Sequence, residues 1–281
     1  MGNIIDLQKR KFIGKREIIV MVLAVILATA GIKASDSLLN GGAGKSDNSG
    51  GCPEGMAPVI SADGDFCVDM HEVAAHANCP YPNPANQNET RDNIDASGCL
   101  PVSKAGAAPW RFISQNQASI ICAKAGKRLP TNKEWLAAAL GTPDKESGWG
   151  PDDCQVNNNW STQPGLSGSG ENCVSAAGIY DMIGNVWEWV DGTVSDGSFR
   201  GQTLPGEGYV LGVDENAIPS ATDARNDPNY YNDYFWIKNM GIRGMARGGY
   251  WDNKAEAGQY ALYVVSEPSF AGVGVGFRCV K

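Results

Sequence analysis

Asp181-Met182-Ile183-Gly184-Asn185-Val186-Trp187-Glu188-Trp189-Val190 packs two tryptophans, acidic side chains and a glycine turn into one short run. On an extended chain the indoles of Trp187 and Trp189 point one way and the Glu188 carboxylate the other. Asp181, Gly184 and Glu188 frame a tight turn whose side-chain and backbone oxygens could converge on one hard cation. The alternative is a turn-capping Asp181 and a Glu188 that accepts backbone hydrogen bonds.

Other chemistries are poorly supplied. His71 and His76 are the only histidines, five residues apart with no third, which makes a poor metal site. No Ser/His/Asp set has supporting context. The eight cysteines all come after the N-terminal apolar stretch, and no pair has CxxC spacing, so disulfides are expected rather than a zinc ribbon. Cys79 with Cys99 and Cys154 with Cys173 each enclose a short Asn/Gly-rich segment and are predicted local bridges. The pairing of Cys52, Cys67, Cys122 and Cys279 stays open. Beyond position 17 the chain carries 18 basic against 29 acidic residues, the wrong sign for nucleic-acid binding.

The elements that must position these residues can be read from pattern. Residues 1–17 form a basic segment read as cytoplasmic, and 18–32 an uncharged apolar run. That order predicts export of the chain beyond residue 32, with the run acting as a single-pass anchor or, at Ala28-Thr29-Ala30, a cleaved signal. The expected location is the cell surface, with membrane contact through this helix, or the medium if the signal is removed. Residues 33–51 read as a flexible tether. Residues 52–281 form one domain. It opens with a hairpin that turns at Asp63-Gly64, and 78–109 reads as an insertion loop.

Two helices carry clear start signals. Ser114 with Gln117 and Thr131 with Glu134 both fit capping boxes, and the helices stop at Gly126 and Gly141. Lys127 and Arg128 sit where the first helix dipole favours positive charge. Residues 142–180 and 192–246 show little periodicity, which suits a fold of loops pinned by disulfides and aromatics.

Four motifs in fixed order give the chain a family likeness. They are Asp181–Val190; Gly126-Lys127-Arg128-Leu129-Pro130-Thr131 with Glu134-Trp135; Arg247-Gly248-Gly249 with Trp251; and Gly276-Phe277-Arg278. Together they resemble the formylglycine-generating-enzyme (sulfatase-modifying factor) family. The resemblance implies an α+β, loop-rich, C-type-lectin-like fold with two helices and short antiparallel sheets, whose opening hairpin lies near the C-terminal strand. It also implies a calcium site at Asp181, the Gly184 and Val186 carbonyls, and Glu188, with Asp181 replacing the family's asparagine. Members that oxidise a substrate cysteine bind copper through two cysteines in the C-terminal third. No cysteine stands between Cys173 and Cys279, so copper chemistry is not expected. The related iron enzymes need three histidines, so iron is not expected either, and the chain reads as a non-enzyme.

Within the family, the C-terminus is similar to the variable proteins of diversity-generating retroelements. Those proteins rewrite asparagine codons between Arg-Gly-Gly-x-Trp and Gly-Phe-Arg. The matching positions are Tyr263, Val265, Ser266, Phe270, Gly272 and Gly274, with Tyr250 and Asp252 as further candidates in a variable region 250–275. On an extended chain residues 270, 272 and 274 share a face. Two glycines and a phenylalanine would pack a core badly but would make a shallow exposed groove. Tyr250 and Tyr263 add amphipathic rings typical of binding surfaces, and Val264 should point to the core. The expected partner is a protein or glycan ligand on another cell or virus surface. The remaining alternatives are an oxidase relative and a structural envelope protein.

Overall fold

A computed structural model describes residues 51–281; the expectations for 1–17, 18–32 and nearly all of the tether lie outside the described residues. Among the described residues no helix is long and apolar enough to cross a membrane.

The fold is α+β and loop-rich. The expected hairpin pairs β1 (Met56–Val59) with β2 (Phe66–Asp69) antiparallel, and β3 (Val73–Ala75) pairs with β4 (Pro101–Ser103). The expected insertion loop 78–109 is more ordered than its composition suggests. It contains helix α1 (Gln87–Asp95), because the Asn86 side chain caps the Asn88 and Glu89 amides and Asn93 anchors the Tyr81 main chain. The two predicted helices are α2 (Gln115–Lys124) and α3 (Asn132–Ala139), and both capping boxes are formed.

Lys127 and Arg128 do more than face a helix end. Lys127 pairs with Asp69 at 2.6 Å, and Arg128 reaches both oxygens of Glu134 in the next helix.

Nine strands form one sheet: β5 (Trp187–Ser195), β6 (Ser198–Phe199), β7 (Gln202–Thr203), β8 (Gly208–Val213), β9 (Pro219–Asp223), β10 (Tyr234–Ile237), β11 (Ile242–Arg247), β12 (Leu262–Val264) and β13 (Val275–Phe277). Five of these strands lie wholly in 192–246 and β11 nearly so, which makes that region far less irregular than its composition implied; cross-strand pairing replaces the missing hydrophobic period. The order is β7-β6-β5-β11-β12-β10-β8-β9, with β13 on the other side of β5. Pairing is mostly antiparallel, but β5–β13 and β10–β12 run parallel.

The sheet separates two apolar clusters. Leu262, Val264, Met245 and Val190 enter one with Trp135 and Val68, while Trp187, Trp189, Ala246 and Phe277 enter the other with Trp110 and Ile121. Alternation along β12 therefore sends Val264 to the core and Tyr263 to the opposite face.

All eight cysteines are bridged. Cys79–Cys99 and Cys154–Cys173 pair as expected, and Cys52–Cys67 and Cys122–Cys279 complete the set. Cys122–Cys279 spans 157 residues and ties α2 to the C-terminal segment, against 15 for Cys52–Cys67. A longer closed loop restrains the unfolded chain more. Replacing Cys122 and Cys279 by serine should cost about 5 kcal/mol in urea unfolding, roughly 2 kcal/mol more than the same change at Cys52 and Cys67.

Candidate functional site

The site is built on the first three residues of β5. Trp187-Glu188-Trp189 is fully extended, with β11 on one side and β13 on the other. Both indoles lie on one face and Glu188 on the other, as the alternation required.

On the carboxylate side lies a buried ionic network. Arg278 is fully buried; Nε donates to Glu188 Oε2 at 2.7 Å and Nη2 to Glu188 Oε1 at 2.5 Å. Nη1 and Nη2 also donate to the Asp69 and Tyr180 carbonyls respectively, both at 2.9 Å. Trp135 Nε1 adds a 2.7 Å bond to Glu188 Oε2. Two further acids crowd the pair. Burial, then the charges of Asp181 and Glu188, hold the Glu72 carboxyl well above the usual range. Burial pushes Asp181 up to about 7, against the Gly168 amide and Arg278. His71 stacks on Tyr180 at 5.1 Å, and burial plus the nearby Arg278 lower it to about 4. It is a neutral packing histidine.

Two of the four positions expected to hold calcium, Asp181 and Glu188, belong to this network. Glu188 is committed to Arg278 and Trp135, and Asp181 Oδ2 accepts from Gly168 N at 2.6 Å. Gly184 has φ +77°, and an added Cβ would lie 2.1 Å from the Gln155 carbonyl, so this glycine serves backbone packing. The Val186 amide donates to Glu72. Among the described residues no group of three or more His, Cys, Asp or Glu is arranged to hold a metal. Arg278 supplies positive charge to Glu188, while Asp181 Oδ1 is buried with no hydrogen-bond partner.

On the indole side lies an open groove of about 270 Å³, lined by Trp187, Trp189, Ala246, Tyr250, Tyr263, Phe270 and the 272–275 segment. No charged side chain lines it. Tyr263 leans on Trp187 at 5.5 Å, and Trp236 meets Trp187 edge-on at 5.3 Å from behind.

Five expected ligand positions therefore converge: Tyr250, Tyr263, Phe270, Gly272 and Gly274. Three do not line the groove. Asp252 is exposed and accepts from Asn158 Nδ2 at 2.7 Å, Ser266 shares a hydrogen bond with the Tyr263 hydroxyl at 2.9 Å, and Val265 is half-buried beside them. The expected extended run 270–274 is instead an irregular loop, which lays the Phe270 ring against Gly272 and the Tyr250 ring against Gly274. The floor residues Trp187 and Trp189 were not expected to line the groove, although their alternation already placed both indoles together.

The loop is held by its main chain. The carbonyls of Ser266, Pro268, Gly272 and Gly274 accept from the amides of Gly244, Asn116, Phe112 and Trp187, at 2.9–3.2 Å. None of Tyr263, Val265, Ser266, Phe270, Gly272 and Gly274 is buried, and Phe270 is 47% exposed.

Residues 64–281, spanning the ionic network and the groove, match the sulfatase-modifying factor enzyme 1-like domain. The chain belongs to that family. Among curated relatives it is 31% identical over 159 residues to the inactive C-alpha-formylglycine-generating enzyme 2 of Mus musculus, covering 50% of each chain. It thus spans about half the length of that relative. Among solved structures it is similar to the Major Tropism Determinant I1 variant (TM-score 0.43, 18% identity, 82% of this chain and 52% of that one). It is also similar to Treponema denticola variable protein 1 (TM-score 0.38, 13% identity, 82% and 99%).

In this domain of the sulfatase-modifying factor family, Glu188→Gln should leave a buried guanidinium short of its partner charge and cost about 3–5 kcal/mol in urea unfolding. Stability should also depend on pH. Asp181 keeps its proton to about pH 7 when folded but titrates near 3.8 when exposed, so the folded state binds the extra proton between these values. Stability should fall as pH rises through that window. The melting temperature should be roughly 5–10 °C lower at pH 8 than at pH 5. Asp181→Asn, tolerated at its φ of +57°, should flatten the slope.

Proposed function

We propose that this is a non-catalytic ligand-binding domain, displayed outside the cell, whose groove around Trp187 and Trp189 takes part of a protein or glycan partner. The carrying observation is the division between main chain and side chain in residues 266–274. The loop is positioned by four backbone carbonyls, while the side chains at the variable positions contribute little buried surface. Such a loop tolerates replacement of its side chains without losing its place. That is the property a diversified binding surface needs, and the variable proteins of diversity-generating retroelements are the reading that fits it. Pairing of all eight cysteines supports export and leaves no thiolate pair for copper.

A library varied at Tyr250, Tyr263, Phe270 and Gly272 tests it. Most variants should unfold within about 1 kcal/mol of the parent, and selection against unrelated surface proteins should return binders with different residues at these positions. Losses of more than about 3 kcal/mol across the library would overturn the reading. Programmed variation has its own test in the gene's neighbourhood. It requires a near-copy of codons 250–278, with AAC at the six matched positions, beside a reverse transcriptase.

A further inference from the structure

Eight buried side-chain polar atoms among the described residues lack a hydrogen-bond partner, and five of them belong to Thr142, Asp144, Asp233, Arg247 and Gln259. Asp144, Asp233, Arg247 and Gln259 are neighbours in space, and Thr142 lies two residues before Asp144 in the chain. Asp144 Oδ2 accepts from the Gln259 amide at 3.2 Å, and Asp233 Oδ2 accepts from the adjacent Tyr260 amide at 2.6 Å. Two carboxylates thus grip consecutive amides of one segment, each through one oxygen. The other oxygen of each is buried and unpartnered, as are Gln259 Oε1 and Thr142 Oγ1. Asp233 is 0% exposed and Gln259 8%. Arg247 donates to the Gln259 carbonyl at 3.0 Å, and its Nε makes no bond to either acid.

Gly258 shows how closely the Asp233 carboxylate is seated. A Cβ added there would lie 1.7 Å from Asp233 Oδ1, so the carboxylate fills the space of a missing side chain. Isolated buried carboxylates are costly, and two that repel each other are more so. Burial, then the charge of Asp144, hold the Asp233 carboxyl well above its usual range. With Arg247 as the facing cation, the cluster keeps one net negative charge when both acids are ionised. Its unpartnered acceptors are all oxygens, the donor set of a hard cation.

We propose that Asp144, Asp233 and Gln259 form a binding site for one calcium-type divalent cation, with water completing its shell. The ion ties the 142–144 loop and the segment entering β10 to residues 258–261, which lead directly into β12 and Tyr263. The site is separate from Asp181 and Glu188 and does not depend on the binding reading of the groove.

The test uses the full chain in detergent, stripped of divalent ions by chelation. Calcium is titrated calorimetrically, and terbium luminescence sensitised by tryptophan is followed in parallel. The expected result is one ion per chain and a melting-temperature rise of roughly 5 °C at saturating calcium. Asp144→Asn and Asp233→Asn should each abolish the rise, with metal-free variants at least as stable as the metal-free parent. Absence of stoichiometric calcium in the parent would mean that water alone fills the cluster and would overturn the proposal. So would a calcium response that survives in both variants, which would place the ion elsewhere. If Asp233→Asn fails to fold, Asp144→Asn at the half-buried edge decides the question.

Discussion

The Arg278–Glu188 pair is the constraint on which the rest of the domain depends. A buried ion pair is tolerable when hydrogen bonds meet most of its remaining donors and lone pairs. Here Arg278 meets Glu188 twice, two carbonyls, and indirectly Trp135 through their shared carboxylate. Those partners come from the opening hairpin, α3, the turn before β5, and β5 itself. One guanidinium, just past β13, therefore registers four other parts of the chain. It also sets which way β5 faces. With Glu188 held inward, the pleat forces Trp187 and Trp189 to the opposite face, where they become the floor of the groove.

The domain separates what must be kept from what can change. Frame residues such as Trp135, Trp189, Arg247 and Phe277 are fully buried and make specific contacts, so altering any of them is strongly destabilising. Disulfides do similar work in the irregular stretches, where little periodic structure could hold the chain. Above this frame, residues 266–274 are seated through backbone carbonyls. Side-chain contacts of the loop are few, among them the Ser266 hydroxyl with the Tyr263 hydroxyl and Glu267 with Arg243.

The network of buried acids shows the opposite use of charge. Glu72, Asp181 and Glu188 surround one arginine, so the region carries more acid than it can neutralise and responds to protons. The Asp144 and Asp233 cluster has a similar excess around Arg247. Aromatic and ionic residues are concentrated in this way because a loop-rich domain has few long elements to pack.

Sequence alone determined the local features, since they depend on neighbours in the chain. The two capping boxes, the turn at Asp63-Gly64, the opposed faces of Trp187 and Glu188, and the two short-range disulfides needed only spacing and residue type. Its motifs also carried the family. Tertiary structure decided what depends on long-range pairing. Glu188 reads equally well as a cation ligand or a hydrogen-bond acceptor until Arg278, 90 residues away, is seen to claim both oxygens. The strands within 192–246 were hidden because each is recruited by its partner, not by its own periodicity. The groove itself joins β5, β11, Tyr250, β12 and the 270–275 loop, and no local pattern reports that five separated segments share one surface.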